Sequence, residues 1–350
     1  ASRPETMFAW RKHRGNPEPV WEEVPVPKPG PTGVLVKILA SGVCRSDHNL
    51  LNNEKQAKWF TDKWTLGHEG CGRIVEFGPE VKDTTLKVGD IVALYGVPGC
   101  GAADCPECSR DLAQICERGH HSGIGQDGYF APYATIDIRG VVPVPEGVTP
   151  AEAAVATDAV NTAYHAIHKR GEIKAHETVF LFGLGGLGFN ALQIIRNIGA
   201  RVIVSDIRQQ RLDEAIKLGI PEEDIVKVGK SPVDFVAEKG LHIDCVADFV
   251  GTRQTFEDAQ EIAVRRGGRI LAVGSIESPN PIHMHTGTRK RLSIIFTYGG
   301  QVSDLKEVLD LISKGVIRPQ VKPGKLEDFP KVLQQLRNGE VESRVALVQE

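Results

Sequence analysis

Val179-Phe180-Leu181-Phe182-Gly183-Leu184-Gly185-Gly186-Leu187-Gly188 is the stretch on which the fold turns. An apolar, strand-like run enters GxGxxG, and Phe189 to Ile198 then repeat apolar positions at helical spacing. Between a strand and a helix, such glycines form a phosphate-binding turn. Gly183 permits the tight bend, Gly185 lets a pyrophosphate approach the backbone, and Gly188 lets helix and strand pack closely. The helix N-terminus favours negative charge there. The next strand, Arg201 to Ser205, ends at Asp206, eighteen residues past Gly188. A carboxylate at that point suits ribose hydroxyls and repels a 2′-phosphate, so NAD is expected over NADP. Arg208 and Arg211 lie just beyond and either soften that preference or are solvated surface charges. An α/β domain with a glycine-rich turn and no cofactor is the alternative; strand, helix and acid together argue against it.

Working outward, Ile243 to Ala247 and Ile270 to Val273 continue the alternation of strands and helices that marks a parallel, doubly wound sheet. Upstream, from Trp21 to about Val144, the texture is all-β and loop-rich, with strands expected at Val34 to Leu39, Arg73 to Phe77, Ile91 to Leu94 and Tyr133 to Ile136. Around Ala151 it becomes helical. After Arg291 come an apolar run, Leu292 to Thr297, two helical patterns, Ser303 to Lys314 and Leu326 to Arg337, and a short strand near Val345. Periodicity does not say which domain this tail joins. A length of 350 residues fits two domains.

Lys plus Arg is 42 and Asp plus Glu 45, a formal charge of −3 with no basic block, which argues against a nucleic-acid or anionic-membrane surface. The proline- and charge-rich start, Ala1 to Pro31, lacks the apolar core of a signal peptide, and no apolar run is long enough for a bilayer. A soluble protein of the cytosol is expected. Seven cysteines is an odd count for a disulfide framework. Cys100, Cys105, Cys108 and Cys116 are separated by four, two and seven residues, a crowding that suits a closed, structural zinc site. Unligated thiols or a nucleic-acid-binding zinc ribbon are the alternatives, and the lack of basic and aromatic neighbours counts against the ribbon.

Gly42-Val43-Cys44-Arg45-Ser46-Asp47, Gly67-His68-Glu69-Gly70, the four-cysteine lobe and the glycine loop occur in an order that resembles the zinc-dependent medium-chain alcohol dehydrogenases. The resemblance covers essentially the whole chain. It implies a GroES-like β-rich catalytic domain, residues 1–157 and 295–350, and a Rossmann NAD-binding domain, residues 158–294. It also implies two zinc ions per subunit, one catalytic and one structural. The matching catalytic ligands are Cys44, His68 and Asp158, with Glu69 as the acidic neighbour that orients the site or exchanges as a ligand. Asp158, in Thr157-Asp158-Ala159, resembles the subset with aspartate where many members have cysteine, often described with secondary alcohols and ketones. Unaided, the residues read otherwise: Asp158 as a helix cap, His68 as a packed turn histidine, Cys44 as a buried hydrophobe.

By the same resemblance, Ser46 takes the alcohol proton, Arg45 and Arg344 contact the pyrophosphate, and Val273 and Gly274 hold the nicotinamide amide through the backbone. Three protein ligands leave zinc one open position for Lewis-acid chemistry on an alcohol or carbonyl oxygen. Two departures stand out. The relay histidine's usual position is Asn49, with His48 one residue early, and the first gap of the cysteine lobe is four residues rather than two. The absence of a long insertion after Cys116 implies a homo-oligomer, a tetramer rather than a dimer. Trp59, Phe60, Trp64, Phe296 and Tyr298 either line an apolar substrate cleft or are core and interface aromatics. A polyol or sugar dehydrogenase of the same architecture, and a zinc-stabilised nucleotide-binding protein without turnover, are the rival readings.

Overall fold

A computed structural model describes residues 3–52, 57–82, 84–264 and 266–350. Residues 1–2, 53–56 and 83 of the expected 1–157 segment, and residue 265 of 158–294, lie outside the described residues. The chain forms two compact units, Ala1–Asn161 with Gln301–Glu350, and Thr162–Gly300.

Thr162–Gly300 carries a six-stranded parallel sheet. Its central strands are Thr178–Phe182 and Cys245–Asp248; Arg201–Ser205 and Ile225–Val226 lie to one side, Arg269–Ala272 and Ser293–Phe296 to the other. Counted in chain order this is 3-2-1-4-5-6, the Rossmann arrangement, whose strand order reverses beside the strand that feeds the glycine loop. Parallel neighbours cannot be joined by tight hairpins, so helices such as Gly188–Ile198, Gln209–Lys217 and Arg253–Ile262 serve as crossovers. One apolar cluster packs sheet residues Phe180, Phe182, Ile203, Val246 and Ile270 against Phe256 and Ile262 of a crossover helix.

The other unit is built on a seven-stranded sheet and a three-stranded one. Gly33–Val43 is the hub: it pairs antiparallel with Glu69–Phe77, Tyr133–Asp137 and Arg344–Val348. The small sheet, Val20–Pro25, Thr6–His13 and Lys63–Thr65, draws two strands from the proline-rich start, where the sequence reading placed none before Trp21. Alternation there is blurred because Lys12 and Arg11 are drawn inward by hydrogen bonds, Lys12 to the Leu51 carbonyl and Arg11 to Thr65.

The expected helix from Ala159 to Lys169 is a short α segment, Asn161–Tyr164, between two π-helical turns, Ala156–Val160 and His165–Arg170. It continues from Pro150–Val155, whose N-cap is Thr149 in a capping box with Glu152. Asp158 therefore caps nothing; it sits mid-helix in a π turn, an irregularity that often re-aims side chains at functional sites. Ile243, expected to start a strand, only bridges to Ala263, and the strand begins at Cys245. No helix among the described residues is long and apolar enough to cross a membrane.

Candidate active site

Sheet register assembles the site. Gly42 pairs with Glu69 and Val43 with Val345, so the hub strand's last residues lie between the start of one neighbour and the start of the other. Cys44, His68, Glu69 and Arg344 thereby reach one end of the sheet, and the π turn brings Asp158 to them. One ligand atom from each of Cys44, His68, Glu69 and Asp158 falls within 4.8 Å of all the others. Gly42 makes the approach possible, because a Cβ there would lie 1.9 Å from Glu69 Oε2.

His68 is fixed from both sides. Its Nδ1 lies 3.1 Å from Asp47 Oδ1, which leaves Nε2 facing Ser46 Oγ at 3.2 Å and Asp158 Oδ2 at 3.7 Å. The other Asp47 oxygen accepts the Cys44 N–H at 2.8 Å. Arg344 Nη2 lies 3.0 Å from Glu69 Oε1 and donates to Asp158 Oδ2 at 3.2 Å. Neither Glu69 oxygen, though fully buried, has a well-directed hydrogen-bond donor. Arg344 is a cation beside this carboxylate but leaves its lone pairs unsatisfied, a condition that fits a metal ion as a further partner.

The charges act differently on the four ligand candidates. Burial opposes charge on His68, yet Asp47 and Asp158 raise its pKa well above the ordinary imidazole value, so a metal binding there would displace a proton. Burial also works against the Cys44 thiolate and the Asp158 carboxylate. Arg344 and His68 outweigh it at Cys44, as do His68 and Arg344 at Asp158, and both pKa values are lowered. Burial dominates at Glu69, whose pKa is raised well above the carboxylate range.

The second cluster is independent of the first. Cys100 and Cys108 Sγ lie 3.9 Å apart and Cys105 and Cys116 Sγ 3.7 Å apart, with all four sulfurs within 4.8 Å of one another and none in a disulfide. A tetrahedral zinc with Zn–S bonds of about 2.3 Å sets its sulfurs about 3.8 Å apart. The four-residue first gap is thus accommodated by the turn Cys100–Cys105, and the donor set fits zinc.

In the glycine loop, Gly183 has φ +87°, and a Cβ on Gly188 would lie 1.9 Å from the Gly183 carbonyl oxygen. Around Gly185, by contrast, the nearest atom to an added Cβ is Arg208 Nη2 at 4.0 Å, so that backbone is open. Gly186 accepts an Asn190 side-chain hydrogen bond at 2.9 Å through its carbonyl, and Leu187 immediately precedes the helix. Asp206 accepts the Leu184 N–H at 2.7 Å and pairs with Arg208 Nε at 3.2 Å. Arg211 is not a solvated surface charge: it is 1% exposed, donates to the Leu184 carbonyl at 2.6 Å and lies over the Phe189 ring. Its inward contacts support the loop from beneath. The N–H groups of Val273 and Gly274 both donate to the Asp248 carbonyl.

Residues 30–146 match the alcohol dehydrogenase GroES-like domain and residues 186–314 the zinc-binding dehydrogenase domain. An alcohol dehydrogenase of Geobacillus stearothermophilus is 33% identical over 93% of this chain and 95% of its own. The chain belongs to the zinc-dependent medium-chain alcohol dehydrogenase family. The structure of acetophenone reductase from Geotrichum candidum in complex with NAD is 30% identical, with a TM-score of 0.88 over 100% of this chain and 99% of that one. The alcohol dehydrogenase of the archaeon Aeropyrum pernix is 29% identical, with a TM-score of 0.88 over 98% of this chain and 100% of that one.

Sequence reasoning on this dehydrogenase passed over Asp47, which it quoted within a motif without a role. The sequence shows only an aspartate three residues after a cysteine; its full burial and its contact to His68, which reveal what it does, belong to the tertiary structure. Arg45 is exposed, while Arg344, assigned with it to one ligand, is buried against carboxylates. His48 is half-buried, with the Asn52 side-chain amide 3.1 Å from Nδ1, and Asn49 is exposed. Among the aromatics, Trp64 belongs to the core, Trp59 stacks on His121 at 4.2 Å, and Phe296 and Tyr298 are exposed.

Proposed function

We propose that this NAD-dependent alcohol oxidoreductase holds its catalytic zinc on Cys44, His68 and Asp158, with Glu69 as an exchangeable fourth donor, and a second, structural zinc on Cys100, Cys105, Cys108 and Cys116. The observation that carries the reading is the convergence of thiol, imidazole and two carboxylates within 4.8 Å, Cys44 and Glu69 buried and His68 and Asp158 half-buried, with the Ser46 hydroxyl 3.2 Å from His68 Nε2. A protein that merely bound a nucleotide has no need of this set. Bound there, zinc supplies Lewis acidity toward an alcohol or carbonyl oxygen, and NAD supplies the hydride acceptor.

The chain's own residues do the rest. Ser46 accepts the substrate hydroxyl proton at Oγ while giving up its own, which leaves through the cofactor ribose hydroxyls and water because neither Asn49 nor His48 stands at the usual relay position. Asp47 keeps His68 Nδ1 engaged, so Nε2 is the nitrogen offered to the metal. Arg344 balances the Glu69 and Asp158 carboxylates and, with Arg45, is suited to the cofactor's pyrophosphate. Gly183, Gly185, Gly186, Leu187 and Gly188 form the pyrophosphate turn, supported by Arg211; Asp206 takes the adenosine ribose; Val273 and Gly274 meet the nicotinamide. We divide the roles as residues 1–157 and 295–350 for zinc and substrate, to which Asp158 at the boundary adds its carboxylate, and the rest of 158–294 for NAD.

Asp158 in place of cysteine, together with the likeness to an acetophenone reductase, supports a secondary or bulky apolar alcohol as substrate. Homo-oligomerisation is supported by the edge strand Ser293–Phe296 and by exposed Phe296, Ile276 and Met284 in the same unit, and a tetramer over a dimer by the lack of a long insertion after Cys116. Seven free thiols, five of them needed as metal ligands, suit the reducing cytosol.

The test follows NADH formation with primary alcohols, secondary alcohols and polyols before and after chelation. Metal-dependent turnover that favours secondary alcohols and returns with zinc is the expected result. Turnover indifferent to chelation overturns the zinc assignment, and a preference for polyols overturns the substrate class.

A further inference from the structure

Gln301 occupies an unusual position. It is the N-cap of the helix Val302–Ser313, where Ser, Thr, Asp or Asn would ordinarily serve. Its side-chain oxygen accepts from the Asp304 N–H, and Asp304 Oδ2 accepts the Gln301 N–H at 2.9 Å, which completes a capping box. A serine would do that much. The amide adds a donor with longer reach: Gln301 Nε2 bonds the carbonyl of Asp111, inside the four-cysteine lobe.

Asp111 is a non-glycine residue held in left-handed backbone at φ +57°, and its N–H bonds the Cys108 carbonyl at 3.3 Å. On its other side, the Gln301 carbonyl accepts from the buried Asn161 side-chain amide at 3.2 Å. The Asn161 N–H in turn donates to the carbonyls of Ala156 and Asp158 in the π turn. Asn161 and Gln301 are also the residues at which the chain leaves this unit and re-enters it. An unbroken hydrogen-bonded series therefore runs from Cys108 through Asp111, Gln301 and Asn161 to Asp158.

We propose that Gln301 is a positioning residue that transmits closure of the four-cysteine lobe to Asp158, so that the lobe acts as a brace for the catalytic-metal carboxylate as well as a local staple. The proposal rests on the metal assignments above. Its physical basis is that the Asn161 N–H closes the π turn on the Ala156 and Asp158 carbonyls while the Asn161 side chain is tied to Gln301, so the tether bears on the turn that aims Asp158. A contiguous network becomes coupling only if breaking one link changes the far end.

Zinc-loaded full-length protein and its Gln301→Ser variant separate cap from tether, because serine keeps the capping box and loses the reach to Asp111. In the variant, residues 302–313 keep their amide protection, whereas exchange across 156–161 accelerates roughly three- to tenfold, the effect of about one net hydrogen bond. Release of the more labile metal to a colorimetric chelator quickens by a similar factor, and kcat falls while KM for NAD holds. Cys108→Ser, which opens the series from the lobe end, gives the same exchange signature at 156–161. Wild-type exchange at 156–161 in Gln301→Ser overturns the proposal. Wild-type protein that holds metal only in the lobe overturns the catalytic-site assignment instead, and exchange at 156–161 still decides the tether.

Discussion

Asp47 holds His68 and Cys44 together: the fully buried carboxylate lies 3.1 Å from His68 Nδ1 and also receives the Cys44 N–H, so one side chain orients two metal-ligand candidates. Partners of this kind fix ring orientation, and their loss typically weakens metal affinity ~10- to 100-fold. Asp47→Asn keeps the shape and removes the charge. We expect weaker zinc retention in a competitive chelator titration, with the lobe metal unaffected; unchanged retention would remove Asp47 from the site.

Gly185 and Gly188 stand in the same loop under different constraints. Gly188→Ala drives a Cβ into the Gly183 carbonyl at 1.9 Å and should destabilise the fold by roughly 1–3 kcal/mol. Gly185→Ala meets nothing closer than 4.0 Å, so its melting temperature should stay near wild type while its Kd for NAD rises. Thermal melts paired with calorimetric NAD titration check both. Equal loss of stability in the two variants would contradict the open face assigned to Gly185.

Asp206 both holds the loop through the Leu184 N–H and restrains Arg208. Asp206→Ala removes the charge that repels a 2′-phosphate and frees a guanidinium to receive one. The ratio of kcat/KM for NADP over NAD should rise by roughly tenfold, about 1.4 kcal/mol. A ratio that does not move would assign cofactor choice to other residues.

Glu177 and Arg269 tie the start of two parallel strands together at 2.8 Å, and Glu177 also accepts the Lys174 N–H at 2.8 Å. Burial acts to raise the Glu177 pKa, but Arg269 and the backbone donor outweigh it and hold it below the ordinary value. A depressed carboxyl contributes stability above its unfolded pKa, about 4.3, and loses that contribution as pH falls through the folded value. Because the pair is partly solvated, the contribution should be under about 1 kcal/mol. Glu177→Gln should therefore cost stability at pH 7 and progressively less below about pH 4. Urea midpoints across that range provide the check; an equal loss at every pH would mean packing, not charge, is involved.

The cofactor half of the molecule was legible because its signals are local. The strand, the three glycines, the following helix and Asp206 lie within one short stretch, and each works through backbone geometry that neighbouring residues impose. The four cysteines were legible for the same reason. Cys44 and His68 were joined only by family resemblance, since nothing between them in the chain says that they meet. Asp158 was misleading in isolation: a polar residue ahead of a helical run reads as a cap, and the real cap, Thr149, lies nine residues earlier.

What the sequence determined by itself was therefore the alternation of strands and helices, the phosphate turn and the ligand types available. Tertiary structure decided which of them share a site. Antiparallel pairing of Gly42 with Glu69 and of Val43 with Val345 brings the ends of three strands distant in sequence to one edge, and a π turn swings Asp158 inward to join them. Register and helical phase are cooperative properties of the packed chain; a one-residue slip in either would turn these side chains away, and no single residue encodes them.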